Sequence, residues 1–298
     1  MTKKSKPRKR SSRPKRKPRD SIQRFLRAFV VSATTAFSIA SCALNPQLRD
    51  EVHLEPILSQ LGFPDQAQMA PLAVASGPRV QTRFAQCPQF FPGGNPPVVP
   101  SSQMLRELCF SAFAVLHNGK AKAPVFVAQR LNRKMLLQAQ SVARADKFYP
   151  EARLPAAERA ELDDYRGSGY SRGHMAPAAD MHTPEAMAQS FSLANMVPQD
   201  QRHNGGAWSK VEDDTRKYVM RAAGDVFVFT GTVYDGRSMT IGAGRVAVPS
   251  HLYKVVYDAT TGRAWAHWQA NSPQSRAGPP MSYEEFEMRT GLGFLPLR

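Results

Sequence analysis

Two short stretches of this chain hold the residues best suited to chemistry. The first runs Tyr170-Ser171-Arg172-Gly173-His174-Met175-Ala176-Pro177-Ala178-Ala179-Asp180, with an arginine and a histidine on either side of a glycine. The second opens with Asn195-Met196-Val197-Pro198-Gln199 and continues through Asn204, Trp208, Glu212 and Arg216. Imidazole titrates near neutral pH, so a free His174 can take a proton from water. Asn204 offers an uncharged oxygen, a ligand that suits Mg²⁺, which keeps most of its waters when bound. Glu212 adds a carboxylate. Arg172 and Arg216 add planar guanidiniums that meet two phosphate oxygens at once. A base, an oxygen ligand, a carboxylate and two guanidiniums suit hydrolysis of a phosphodiester with one hard metal ion.

Each of these residues also has a plainer role open to it. A lone histidine is normally a hydrogen-bonded core or loop residue. Asn204 precedes a helical pattern and can be its N-cap. Glu212 and Arg216 are spaced as a surface pair on a helix. Asn195 can simply hold a loop at the end of a strand. Glu212 follows Asn204 by about two helical turns, which would put both on one face.

Taken together and in this order, the two blocks resemble the DNA/RNA non-specific endonuclease family, sugar-non-specific nucleases with a ββα-metal motif. The similarity covers roughly residues 110–269. The family's Asp-Arg-Gly-His signature stands here as Ser171-Arg172-Gly173-His174, and its second block as Ser192-Leu193-Ala194-Asn195-Met196-Val197-Pro198-Gln199 with Asn204, Trp208 and Glu212. The resemblance implies His174 as general base and Asn204 as ligand of a single Mg²⁺, with Mn²⁺ as a possible substitute. It implies Glu212 holding a metal-bound water and Asn195 in support. Arg172, Arg144 and Arg216 would supply charge to the phosphate, with Arg172 and Arg144 binding the nucleic acid. Arg144 rests on the segment Arg144-Ala145-Asp146-Lys147-Phe148-Tyr149-Pro150, with Arg153 as its alternative. The implied substrates are DNA and RNA, the products carry 5′-phosphates, and a homodimer is possible. Ser171 replaces the family's aspartate, which keeps a second reading open: an exported nucleic-acid-binding protein with a weakened or lost nuclease site. His182 and His203 read as local structure, Trp208 as a core anchor, and Trp265 and Trp268 as packing.

Charge sits unevenly along the 298 residues. Eleven Lys/Arg against Asp20 within residues 1–20 account for +10 of the net +16. The rest is mildly basic, which fits a polyanionic partner because Lys and Arg release counterions from phosphates. Residues 28–41 are uncharged and apolar, too short for a comfortable membrane span but suited to a signal-peptide core. The following Ile39-Ala40-Ser41-Cys42 resembles a lipoprotein signal, making Cys42 a lipidation candidate. The expected location is therefore exported, periplasmic or membrane-tethered through that signal or lipid. A mitochondrial presequence is the alternative. With Cys42 lipidated or removed, Cys87 and Cys109 remain as an even pair. In an exported protein that suggests a disulfide, against two free buried thiols otherwise.

Three segments are expected: a basic tail with signal over 1–42, a proline-rich arm and linker over 43–104, and the endonuclease domain over 105–298. Within the domain, strands are predicted over 111–116, 125–131, 191–196 and 226–233, with another ending in 173–176. A helix starts at Thr183-Pro184-Glu185. Another covers 204–223. Residues 251–257 and 264–269 form a hairpin. Ser282-Tyr283-Glu284-Glu285 caps a last helix that stops at Gly291. The fold class is α+β, a mixed or antiparallel sheet core carrying a ββα-metal motif.

Overall fold

The computed structural model describes residues 78–236 and 238–295, all within the unit Ala70–Arg298. The basic tail, the 28–41 segment and Cys42 lie outside the described residues. So does most of the expected arm.

The described chain begins with β1 (Arg79–Gln81), paired antiparallel with β2 (Val98–Pro100). Next come β3 (Leu105–Cys109), β4 (Ala114–Asn118), β5 (Ala123–Leu131) and helix α1 (Arg133–Ala139). A short helix α2 (Leu162–Tyr165) precedes β6 (Tyr170–His174). Helix α3 (Pro184–Ser190) leads to β7 (Met196–Asp200). A continuous helical run then comprises α4 (Gln201–His203), a π turn (Asn204–Trp208) and α5 (Ser209–Val219). The remainder is β8 (Val226–Val233), β9 (Thr240–Ile241), β10 (Val246–Ala247), β11 (His251–Asp258), β12 (Ala264–Ala270), β13 (Met281–Ser282) and α6 (Tyr283–Thr290). Among the described residues, no helix is long and apolar enough to cross a membrane.

Seven strands form the main sheet in the order β13-β12-β11-β8-β5-β4-β3, every neighbour antiparallel. β8 is central, and its run of Val and Phe is buried nearly throughout, as both sheet faces are covered. Side chains alternate between the faces. Val127 and Leu252 join a core that includes Met175, Phe191, Val197 and Trp208. Phe126, Phe229 and Tyr253 join Phe84, Phe90, Phe91, Phe286 and Phe294 on the opposite side. Burying each such ring contributes about 2 kcal/mol. The second face is therefore closed by chain from both ends of the described region, and the first by the β6–β7–helix unit.

Residues 78–104 differ from the expected linker. Pro88 and Pro92 open short 3₁₀ turns that tuck Phe90 and Phe91 under the sheet. Cys87 and Cys109 are disulfide-bonded, with Cα atoms 5.8 Å apart, which ties this segment to the end of β3. Proline there sets turns without preventing burial.

Other boundaries shift in recognisable ways. The strand predicted over 111–116 is a tight β3–β4 turn followed by β4. The strand predicted over 191–196 is a 3₁₀ turn at Leu193–Asn195, and β7 starts at Met196. The helix predicted from 204 starts at Gln201, because Asp200 is the N-cap and accepts from the Arg202 and His203 amides, each at 2.9 Å. The 251–269 hairpin, the Thr183 cap and the Ser282 cap form as expected.

Candidate active site

β6 and β7 pair antiparallel with Tyr170 opposite Asp200 and His174 opposite Met196. Gly173 permits this approach. A Cβ there would lie 2.1 Å from Gln199 Oε1 and 2.6 Å from Gln199 Cβ, so any side chain would push the strands apart. The chain turns directly from β7 into the helix. The unit is thus two strands and a helix, with the basic and catalytic candidates on β6 and the metal candidates on the helix.

His174 lies between two rings: Phe191 at 5.0 Å edge-on and Phe148 at 6.0 Å, centroid to centroid. The same rings carry the arginines. Arg172 sits over Phe148 at 4.9 Å and reaches Tyr165 at 5.7 Å, while Arg144 sits over Phe191 at 5.2 Å. Arg144 thereby joins Arg172 and His174, distant from it in sequence, around one aromatic pair. Burial pushes the His174 imidazole down to about 3, and the positive charge of Arg144 adds to this. His174 is therefore neutral at pH 7, and its Nε2 is buried without a hydrogen-bond partner. A hydrogen-bonded core histidine does not account for this unpartnered Nε2.

Arg153, the alternative to Arg144, is otherwise engaged. It forks onto Glu151, donates to the Cys109 carbonyl at 2.8 Å and covers the Phe110 ring at 4.3 Å. Among the described residues Arg144 has one carboxylate partner, the exposed Asp146, at 3.0 Å.

Asn195 is fully buried and fully used. Its Oδ1 accepts from the Ala176 amide at 2.8 Å, and its Nδ2 donates to the Ala176 and Ser190 carbonyls, each at 2.9 Å. It clamps the turn that follows His174 and does not reach outward.

Asn204 is not a cap, since Asp200 fills that role. Among the described residues its side chain has no hydrogen-bond partner. Eight residues of regular α-helix advance about 2.2 turns and would leave Glu212 about 80° away from Asn204. The π turn takes one more residue per turn and brings that step back to about two turns. Asn204 and Glu212 therefore share a helix face because the helix is irregular. Glu212 is half-buried and has no hydrogen bond or ion pair among the described residues. Burial pushes its carboxyl up to about 7; Lys254 opposes this shift, and Asp180 adds to it.

Arg216 pairs with carboxylates other than Glu212. Its Nη1 donates to buried Asp180 at 3.1 Å, and its Nη2 donates to Asp213. Beneath this pair lies Lys254, only 1% exposed, donating to Thr230 Oγ1 at 2.6 Å and lying 5.5 Å from the Trp208 ring centroid. Burial lowers the Lys254 pKa, against the pull of Glu212 and Asp180. Sequence reasoning passed over Lys254, Phe148 and Phe191. A lone lysine amid Leu252-Tyr253-Lys254-Val255-Val256 is the one signal that marks a buried charge. His203, read as local structure, forms a buried relay: Gln199 Nε2 donates to its Nδ1 at 3.1 Å, and its Nε2–H donates to Gln269 Oε1 at 2.9 Å.

A free amide oxygen and an unpaired carboxylate on one helix face fit a hard divalent ion that keeps most of its waters. Among the described residues, no group of three His, Cys, Asp or Glu gathers as a full protein ligand set.

The sequence model of the DNA/RNA non-specific endonuclease family matches residues 95–296. Nuclease EXOG, mitochondrial, of Xenopus laevis is 34% identical over 250 residues, covering 78% of this chain and 59% of that protein. Endonuclease G, mitochondrial, of Homo sapiens is 30% identical over 203 residues, covering 62% of this chain and 68% of that protein. Against human EXOG, mitochondrial, the chain spans 43% of that protein's length. The crystal structure of the EndoG/EndoGI complex superposes with a TM-score of 0.60 at 25% identity, covering 72% of this chain and 92% of that one. With the family matched across the sheet and the ββα unit, this chain belongs to the DNA/RNA non-specific endonucleases.

Proposed function

We propose that the protein is a metal-dependent nuclease that hydrolyses phosphodiester bonds of DNA and RNA with little sequence preference, leaving 5′-phosphates. The observation that carries this reading is His174: neutral at pH 7, unpartnered at Nε2, and held by the same two rings that hold Arg172 and Arg144. The nuclease names of its relatives support it.

In this mechanism His174 takes a proton from the water that attacks phosphorus. Arg172 presents guanidinium N–H groups to the non-bridging oxygens, where negative charge builds. Arg144 adds charge from the exposed side. Asn204, with Glu212 through water, would hold Mg²⁺, or Mn²⁺ in its place. When bound, the ion would supply charge stabilisation to the transition state. Arg216 orients the helix through Asp180 and Asp213, and Asn195 fixes the turn beside the base. Backbone contacts without base contacts give weak sequence preference. Ser171 lies opposite Gln199 on β6, and its change from aspartate leaves the base and the metal candidates in place.

For the compartment, the names of the relatives favour the mitochondrial reading of the basic N-terminal stretch. Export with lipidation at Cys42 gains nothing from them, nor does a homodimer. The Cys87–Cys109 bond calls for an oxidising compartment.

The test incubates the protein with supercoiled plasmid or single-stranded RNA, in Mg²⁺ or EDTA, beside His174→Ala. Loss of both substrates only with Mg²⁺, abolished in the variant, is the expected result. Intact substrates with a salt-sensitive gel shift would replace the nuclease reading with the binding one.

A further inference from the structure

We infer that the cleft between α1 and α5 is a binding subsite for the sugar–phosphate chain flanking the bond to be cut. The inference rests on the nuclease reading above and extends it beyond the reacting phosphate.

The cleft has a volume of about 770 Å³, in the range of ligand sites, roughly 300–1,000 Å³. It starts at the candidate site, where Arg144 and Arg216 line it. From Arg216 the last turn of α5 and its C-terminal extension carry Lys217 and Arg221 along the same cleft. The far end is closed by α1, whose Arg133 donates to the Met220 carbonyl at 3.4 Å. The floor is apolar, made by Leu136, Val142, Met187 and Met220.

Arg144 and Arg216 have carboxylate partners, and the uncancelled charge along this path lies at Lys217 and Arg221. Asp213 lines the cleft but is taken by Arg216. Lys217 shares the exposed Asp214, at 3.4 Å, with Lys210. Arg221 has no carboxylate partner among the described residues. A row of cations beside an aliphatic floor is complementary to a nucleotide strand: phosphates meet the cations, while sugar and base edges lie on the floor. An acidic protein surface would match the cations but not an apolar floor that runs up to Arg144 and Arg216.

Lys217 and Arg221 are exposed, so replacing them tests the subsite without disturbing the core. Binding of a fluorescein-labelled oligothymidylate is measured by anisotropy in a His174→Ala background, from about 50 to about 200 mM salt. K217Q/R221Q should raise Kd about tenfold and lower the salt slope by between 1 and 2, roughly one unit per lost contact. In the active protein the same pair should raise KM on plasmid DNA with kcat unchanged, and K217R/R221K should restore it. Unchanged Kd and slope would overturn the subsite. So would a lowered Tm with unchanged Kd, since these cations would then serve only the helix C-terminus. Parent protein that neither cuts nor binds would sink the nuclease reading and the subsite with it. Parent protein that cuts while the variants match it would sink the subsite alone.

Discussion

On β6, Arg172 and His174 rest against aromatic rings, and among the described residues no carboxylate touches either. One helix away, Arg216 is locked edge-on to Asp180 and Asp213, with Lys254 buried beneath. A ring holds a guanidinium by its face and leaves its N–H edge free for phosphate. A carboxylate holds it by that edge and uses it up. The two arginines look alike in the sequence, yet Arg172 has donors to spend on substrate and Arg216 has spent its own on the fold.

The sharpest way to break this contrast is His174→Ala. It should lower kcat about a thousandfold, the usual reach of a general base, with the fold intact by circular dichroism. It should also change the acid limb of stability. The folded pKa lies near 3, below the ordinary 6.5, so the wild type loses stability as pH falls from 6.5 toward 3. The variant should lose less over that window, as chemical denaturation at several pH values will show. Equal acid sensitivity would contradict a neutral, buried imidazole.

Next in size is the arginine pair itself. Arg172→Ala should cost roughly a hundredfold in kcat/KM with little change in Tm. Arg216→Ala should instead destabilise by about 3 kcal/mol, because Asp180 would remain buried without its cation. If the two variants behave alike in both assays, face-held and edge-held arginines are not doing different jobs.

The pH–rate profile sharpens the helix side. Glu212 is pushed up to about 7, so kcat/KM should rise with pH through that value as the carboxylate ionises, whereas His174 is neutral throughout. More Mg²⁺ should move the limb to lower pH, since a nearby cation favours the ionised form. Lys254→Met should move it higher. For stability the sign is opposite: the folded protein holds the extra proton between pH 4.5 and about 7, so this group's contribution fades as pH rises through that window. A limb that ignores both Mg²⁺ and Lys254→Met would detach Glu212 from the reaction.

The smallest effect on activity should come from the far face of the sheet. C87A/C109A should lower unfolding free energy by about 3 kcal/mol, the value for a loop of this length, with kcat unchanged at room temperature.

Much of this was legible beforehand. The Arg172-Gly173-His174 block, the Val/Phe run of β8 and the caps at Thr183 and Ser282 are local signals, and local physics governs them. The Cys87–Cys109 pair followed from cysteine number. Residues 78–104 were misread because proline density hid three aromatic anchors, Phe84, Phe90 and Phe91, whose burial depends on a sheet formed later in the chain. The start of the helix was misplaced because Asp200 and Asn204 are both good caps, and only pairing of β7 with β6 decides between them. The ring pair around His174 joins residues 148, 172 and 191, a tertiary meeting that no spacing reveals.

The π turn at Asn204–Trp208 makes the site depend on the form of the helix as much as on residue type. A Cβ at Gly205 or Gly206 meets open space, so either glycine can be exchanged without collision. Deleting one would restore a regular helix and leave Asn204 seven residues from Glu212, about 20° short of two full turns, so the shared face would survive. Relaxing the same eight residues to regular α-helix, with nothing deleted, would instead part the two side chains by about 80°, so a change that only straightens this turn would disable the site with every candidate side chain still present.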